Sequence, residues 1–315
     1  MNSNNQINLF FSVDDNYCKF LSVTLDSIIN NSNNNFIYNI YVLNSGLSDH
    51  CVQKLNNQVS KKTNFNILYV DMHEKLKKFE GLLFTRDFYN QTIYYRLFIP
   101  TLFPELDKAL YLDSDIILLD DVAKLYKIEL GNKLLGVIID EAVQNTQVFK
   151  DYVECALDVK NTNYFNSGVM IMNLKELRNV KFEDQFFNLS KKYKFKVAPD
   201  QDILNILCED KTVIIPNEWN KMPIKNSVIR CDNPKLIHFN MMFKPWQFDD
   251  VEYCHYFWDI ANNNVFIDDI MKTKEQFTNE LRQKALDVGA RLFSLAQEEI
   301  DNENNYKKTY ITNTK

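Results

Sequence analysis

Between residues 7 and 70 the chain alternates apolar runs with amphipathic stretches, and this alternation limits the fold more than any other feature. Residues 7–12 (Ile-Asn-Leu-Phe-Phe-Ser), 36–43 and 65–70 read as strands. From about 17 to 30, Leu21, Leu25 and Ile28 recur on one helical face, and a second helix is expected after a Ser48 cap. The resulting order is β-α-β-α-β. Strands joined by helices lie parallel with right-handed crossovers, so the expected class is α/β with a mostly parallel, doubly wound, nucleotide-binding sheet. Further strands are expected at 134–139, 169–173, 213–215 and 236–239, and a helix at 200–209. Six glycines and seven prolines in 315 residues leave no flexible linker, so residues 1–248 are expected to form one catalytic domain. Residues 249–303 read as a helical appendage and 304–315 as a flexible tail.

Composition matters for what it excludes. A hydrophobic content of 45% supports a sizeable core, and a formal net charge of −6 argues against a nucleic-acid partner. Six cysteines, at 18, 51, 155, 208, 231 and 254, show no paired zinc or redox spacing and read as reduced thiols. The polar residues 1–6 do not read as a signal peptide, and no apolar run approaches the roughly 18 residues that cross a bilayer. A cytoplasmic location is expected. Phe277, Leu281, Ala285, Val288, Leu292 and Leu295 form a helical stripe that could pack on its own protein or bring it to the inner face of a membrane. No polybasic excess accompanies that stripe.

At the end of the apolar run 109–112 stand Asp113 and Asp115. Side chains alternate along an extended segment, so both carboxylates project to one side while Ser114 points away. Ligands of open α/β sheets collect just beyond the carboxyl ends of strands. Carboxylates converging there repel unless a cation or proton lies between them, and a divalent ion that also holds phosphates meets that need. The pair suits a plain strand-to-turn junction as well. His238 ends another apolar run and offers a third ligand, shifting the preference from Mg²⁺ toward Mn²⁺. It could equally be a satisfied core histidine. Lys244, six residues on, supplies a point charge for a phosphate.

Four ordered segments resemble the retaining glycosyltransferases of family 8, which include bacterial lipopolysaccharide galactosyl- and glucosyltransferases and glycogenin. They are Phe11 to Tyr17, Tyr94-Tyr95-Arg96-Leu97 with Asp113-Ser114-Asp115, Phe165 to Val169 with Asp200-Gln201-Asp202, and His238 to Trp246. The resemblance spans roughly residues 6–248 and implies a glycosyltransferase A type fold. It implies that Asp113, Asp115 and His238 hold Mn²⁺, with Mg²⁺ as the substitute, and that the ion bridges the diphosphate of a UDP-hexose. Ser12, Asp14, Asn16, Tyr17, Met241 and Lys244 would surround the UDP moiety, with Tyr17 stacking on uracil. Asp14 and Asn16 also suit a helix cap, and one loop can serve both ends. Asn166, Asp200, Gln201 and Arg96 would hold the sugar, since hydroxyl recognition needs hydrogen-bonding side chains. Asp200 alternatively reads as the cap of the helix that follows. Gln201, a neutral amide, is a poor nucleophile and favours front-face substitution over a double displacement.

The implied activity is transfer of galactose or glucose to a hydroxyl of a glycan or glycolipid acceptor, with an α linkage, in lipopolysaccharide or surface-glycan synthesis. One position departs from the family pattern. Glycine usually stands three residues after the motif histidine, and here Met241 does. A positive φ there would strain methionine. Two alternatives stand beside the main reading: a non-catalytic sugar-nucleotide-binding protein, which Met241 favours, and a metal-dependent nucleotidyltransferase, which the His238 to Trp246 segment disfavours.

Overall fold

The computed structural model describes residues 5–77, 79, 81–85 and 91–311. Strands β1 (Gln6–Ser12), β2 (Ile37–Asn44) and β3 (Phe65–Asp71) alternate with helices α1 (Cys18–Asn30) and α2 (Asp49–Val59), as the sequence pattern predicts. Ser48 caps α2, its side chain accepting from the Cys51 amide at 3.3 Å. β4 (Lys108–Leu112), β6 (Leu135–Ile139), β7 (Phe165–Asn173) and β8 (Thr212–Ile214) complete a seven-stranded sheet of order β3-β2-β1-β4-β7-β6-β8. Two three-residue strands, β5 (Ile116–Leu118) and β9 (Leu236–His238), pair antiparallel in a separate ribbon.

The sheet divides two apolar layers because successive side chains leave opposite faces. Leu9, Phe11, Leu110, Leu112, Val169 and Ile171 enter one layer, together with Leu21 and Leu25 of α1. Phe10, Ala109, Tyr111, Met170 and Met172 enter the other, with Tyr152, Phe186 and Leu292. Strands buried on both faces need continuous apolar runs, which is how β1, β4 and β7 read.

The sheet is mostly parallel, as expected, with one strand reversed. β1 to β4, β6 and β8 share a direction, whereas β7 runs against both β4 and β6. An apolar run buried on both faces reads alike in either direction, so composition carried no sign of this reversal. Its effect is to bring the amino end of β7 to the carboxyl end of β4, where the Asp113 amide donates to the Gly168 carbonyl at 2.8 Å. The β6 to β7 register jumps from Val137↔Met170 to Ile138↔Asn166, which frees residues 167–169 from β6 and leaves them facing β4. The strand expected at 236–239 also lies outside the main sheet, in the β5 to β9 ribbon.

Helices Cys254–Ala261 and Ile267–Glu275 add Phe257, Ala261 and Ile270 to the α1 layer. Helix Asn279–Asp301 docks through its second half, where Gly289, Leu292, Leu295 and Ala296 are buried, while Leu281 of the expected stripe is 45% exposed. Within the segment read as a tail, Asn305 is buried and residues Lys307–Ile311 form a helical turn. Residues 312–315 of that tail, and residues 1–4 of the expected catalytic domain, lie outside the described residues. Among the described residues, no helix is long and apolar enough to cross a membrane.

Candidate active site

Two backbone contacts and one buried side chain assemble the acidic pair and the histidine. β5 pairs with β9 so that Ile116 stands opposite His238. The Phe239 amide donates to the Asp115 carbonyl at 2.9 Å. Behind them, the buried Thr24 hydroxyl of α1 donates to the carbonyls of Ser114 (3.0 Å) and Ile116 (2.8 Å). Asp113 and Asp115 line a cavity at the carboxyl end of β4, and the buried Ser114 between them borders it too. The two carboxylates converge as expected, but through a bend at 114–115 and not through strand alternation, and Ser114 does not point away from the cavity.

The triad fits a divalent ion. One ligand atom from each of Asp113, Asp115 and His238 lies within 4.8 Å of the others. His238 Nε2 stands 3.2 Å from Asp115 Oδ1 and 3.6 Å from Asp113 Oδ2. The first two of these atoms are buried without a hydrogen-bond partner. Buried polar atoms are nearly always paired, so two orphans facing each other mark a place for a cation. Space is kept for it by Gly168, where a Cβ would meet Asp113 Oδ2 and His238 Cε1 at 2.4 Å. Two carboxylates and an imidazole are a donor set that a divalent ion accepts.

The remaining oxygens are committed to cations of the chain itself. Asp113 Oδ1 accepts from Arg96 at 3.1 Å and from the Tyr111 hydroxyl at 3.0 Å, with the guanidinium 4.2 Å above the Tyr111 ring. Asp115 Oδ2 is paired with the buried Lys244 ammonium, which also donates to the Phe239 carbonyl. Burial alone would push the Asp115 carboxyl up, but Lys244 and His238 beside it hold it well below the usual carboxylate range.

A second group of polar side chains lies where the shifted end of β7 meets helix Pro199–Cys208. Gln201 Oε1 accepts from the Ser167 amide (2.9 Å) and Asn166 Nδ2 (3.2 Å), while its Nε2 donates to Asp140 Oδ2 at 3.1 Å. Asp200 is inside the first turn of that helix and not its cap, which is Ala198. It pairs with Arg96 Nε at 3.6 Å and accepts from Ser167 Oγ at 3.3 Å. Burial pushes its carboxyl up, and Arg96 only partly opposes that. Asp202, one residue beyond Gln201, accepts from Tyr152 (2.7 Å) and Tyr164 (2.6 Å), and burial pushes it up to about 7.

On the other side, Ser12, Asp14 and Tyr17 line the same cavity, but the structure does not bring Asn16 to it; Asn16 is exposed. Asp14 Oδ1 accepts from the Tyr17 amide at 2.9 Å in the turn before α1, but the helix cap expected of Asp14 and Asn16 is not there: the N-cap residue is Tyr17. Met241 has φ +60°, the left-handed conformation that its place in the pattern demands of a glycine. Such a conformation costs an L residue about 1–2 kcal/mol. Its neighbour Met242 sits in a notch of helix Asn279–Asp301: a Cβ on Gly289 would come within 2.3 Å of the Met242 sulfur. Leu292 of the same helix reaches the cavity wall.

Sequence reasoning missed Asp140 and Asn220. Asp140 follows the apolar run of β6 just as Asp113 follows that of β4, a signal that was available. Asn220 follows a short turn, Asn217–Trp219, with no periodicity to mark it.

The family description Glycosyl transferase family 8 matches residues 8–250. Lipopolysaccharide 1,2-glucosyltransferase of Escherichia coli is 30% identical over 259 residues, covering 76% of this chain and 73% of that protein. General stress protein A of Bacillus subtilis is 24% identical over 269 residues, covering 77% and 90%. The galactosyltransferase LgtC, solved with donor and acceptor sugar analogues, matches with TM-score 0.69 and 23% identity, over 82% of this chain and 96% of that one. The bifunctional glycosyltransferase WbbM matches with TM-score 0.75 and 24% identity over 87% of this chain, which spans about half (52%) of that longer protein. These structural likenesses establish the fold.

Proposed function

The chain belongs to glycosyl transferase family 8, and from that membership we propose that it moves a hexose, galactose or glucose, from a UDP-sugar to a hydroxyl of a surface glycan, retaining the anomeric configuration as an α linkage. One observation carries the proposal: the buried, unpartnered Asp115 Oδ1 and His238 Nε2, 3.2 Å apart with Asp113 beside them. Mn²⁺, or Mg²⁺ in its place, held by these residues would take up charge on the departing diphosphate.

The chain's own groups have the remaining tasks. Lys244, held at Asp115 on the cavity wall, is a fixed cation for a phosphate oxygen. Asp14 and Tyr17 lie on the side assigned to the uridine, and the exposed Asn16 would join them only if its loop turned inward. Asn166, Asp140 and Gln201 offer acceptors and donors for sugar hydroxyls, with Arg96 and Asp200 behind them. Gln201 Oε1 already accepts two hydrogen bonds, which supports front-face substitution over attack by the amide oxygen. The Escherichia coli relative's name supports an acceptor of lipopolysaccharide type. We place the protein in the cytoplasm, peripheral to the membrane, with the exposed first half of helix Asn279–Asp301 as the contact.

The non-catalytic reading rested on Met241. The loop there has the left-handed shape a glycine would take, so that substitution does not remove the loop. The deciding experiment measures UDP release from a panel of UDP-sugars with and without Mn²⁺. Metal-stimulated release from one donor supports the proposal; UDP binding with silence across the panel overturns it. Sedimentation with anionic liposomes tests the membrane contact, and indifference to them sinks that part.

A further inference from the structure

Four buried or nearly buried side chains connect the two halves of the site in a single line. Asp140 Oδ2 accepts from Asn166 Nδ2 at 3.2 Å, and an ionised carboxylate can only accept. Asn166 therefore turns its oxygen the other way, and the Gly168 amide, which can only donate, meets that oxygen at 3.0 Å. Two independent neighbours thus set the orientation of Asn166. Asn220 faces the same oxygen at 3.1 Å and must present its Nδ2 to it. That leaves Asn220 Oδ1 for His238 Nδ1, 2.9 Å away. An amide oxygen can only accept, so Nδ1 carries the proton. In the neutral ring the lone pair is then on Nε2, the atom that faces Asp115 and Asp113.

We infer that Asn220 is a positioning residue that holds His238 in the Nδ1–H tautomer and so presents Nε2 as a ligand. Through Asn166 it also ties the metal end of the site to Asp140 at the sugar end. Asn220 is 1% exposed and His238 1%, so water is not the partner that sets this tautomer. The line is braced from behind. Glu141, next to Asp140, forms a buried ion pair with Lys221, next to Asn220, and accepts from the Met222 amide at 3.0 Å. Asparagine is the side chain that fits: it offers a donor on one side and an acceptor on the other. Aspartate would set an oxygen against Asn166 Oδ1, and leucine would leave Nδ1 and Asn166 Oδ1 both unsatisfied.

This inference rests on the metal reading of the proposed function, and its test separates the two. ¹⁵N spectra of histidine-labelled, metal-free protein at alkaline pH should show His238 protonated at Nδ1. Mn²⁺ affinity, measured from the EPR signal of free ion without donor, should fall about 10- to 100-fold in Asn220→Leu. Asn220→Asp, which keeps an acceptor for Nδ1, should retain the tautomer and lose less affinity. A wild-type ring protonated at Nε2 overturns the inference. So does a folded Asn220→Leu that binds Mn²⁺ as wild type does. If the leucine variant does not fold, the wild-type spectrum and the aspartate variant still decide. Wild-type protein with the stated tautomer that releases no UDP from any donor supports this inference while the functional proposal fails.

Discussion

The two ends of the cavity are built on opposite principles. At the metal end, protein atoms leave the work unfinished: Asp115 Oδ1 and His238 Nε2 face each other at 3.2 Å, both buried and neither with a hydrogen-bond partner. At the sugar end, Asp140, Asn166 and Gln201 bond to one another and to the Ser167 amide. The first end has its donor atoms already desolvated and converged, so a cation would meet them without their rearranging. The second must exchange bonds it already has, so a sugar gains affinity only through better geometry and through discrimination between hydroxyl patterns. Under the proposed function, charge and metal affinity would belong to the one end and selectivity to the other.

Removing Asp115 should test that division most severely. Asp115→Ala deletes a ligand and strands the buried Lys244 ammonium. UDP release is expected to fall by ~10³-fold or more, and urea melting to show a loss of about 3–5 kcal/mol. Near-normal stability would mean that Lys244 finds water, and that this end is less enclosed than its burial indicates. At the other end, Asp140→Asn keeps the shape but replaces an acceptor with a donor facing Asn166 and Gln201. Turnover should fall ~10²-fold with Mn²⁺ affinity reduced far less. Equal loss of both would erase the distinction, or show that the line through Asn220 carries more than orientation.

A smaller effect is expected beneath the sugar end. Asp202 has its carboxyl raised to about 7 by burial, so its contribution to stability is fully present below the ordinary carboxylate range and lost as pH rises toward 7. Asp202→Asn should therefore flatten the fall in Tm between about pH 4 and 7; an unchanged slope would place the titration elsewhere. Smallest of all is Met241→Gly. Relief of the left-handed methionine is offset by glycine's entropy and by lost packing, so calorimetry should find a change within about 1 kcal/mol. A larger loss would show that the methionine side chain, and not only the loop backbone, shapes the phosphate side.

Legibility in the sequence followed the range of the interaction. α1, β2 and β3 could be read from local periodicity, and Asp113 with Asp115 from their spacing at the end of one strand. The β5 to β9 pairing could not, because three residues hold no period and their partners are more than a hundred positions apart. The reversal of β7 left no trace in composition. Asn220 was invisible because a lone asparagine after a turn acquires meaning only through residues 166 and 238. The stripe at 277–295 was legible in its period and packs on the protein at Phe277, Ala285, Leu292 and Leu295, while Leu281 within it meets solvent.

The notch at Gly289 has a practical consequence. The family match ends at residue 250, where a truncated version of the protein would naturally be cut. Such a cut would discard the surface that seats Met242 and the Leu292 side chain that closes the cavity wall. The strained residue beside Met242 would then lose its brace, and the shortened protein would hold its phosphate-side loop in several shapes instead of one. Any comparison of truncated relatives with full-length ones should therefore allow for a defect in donor binding that originates some forty residues beyond the motif.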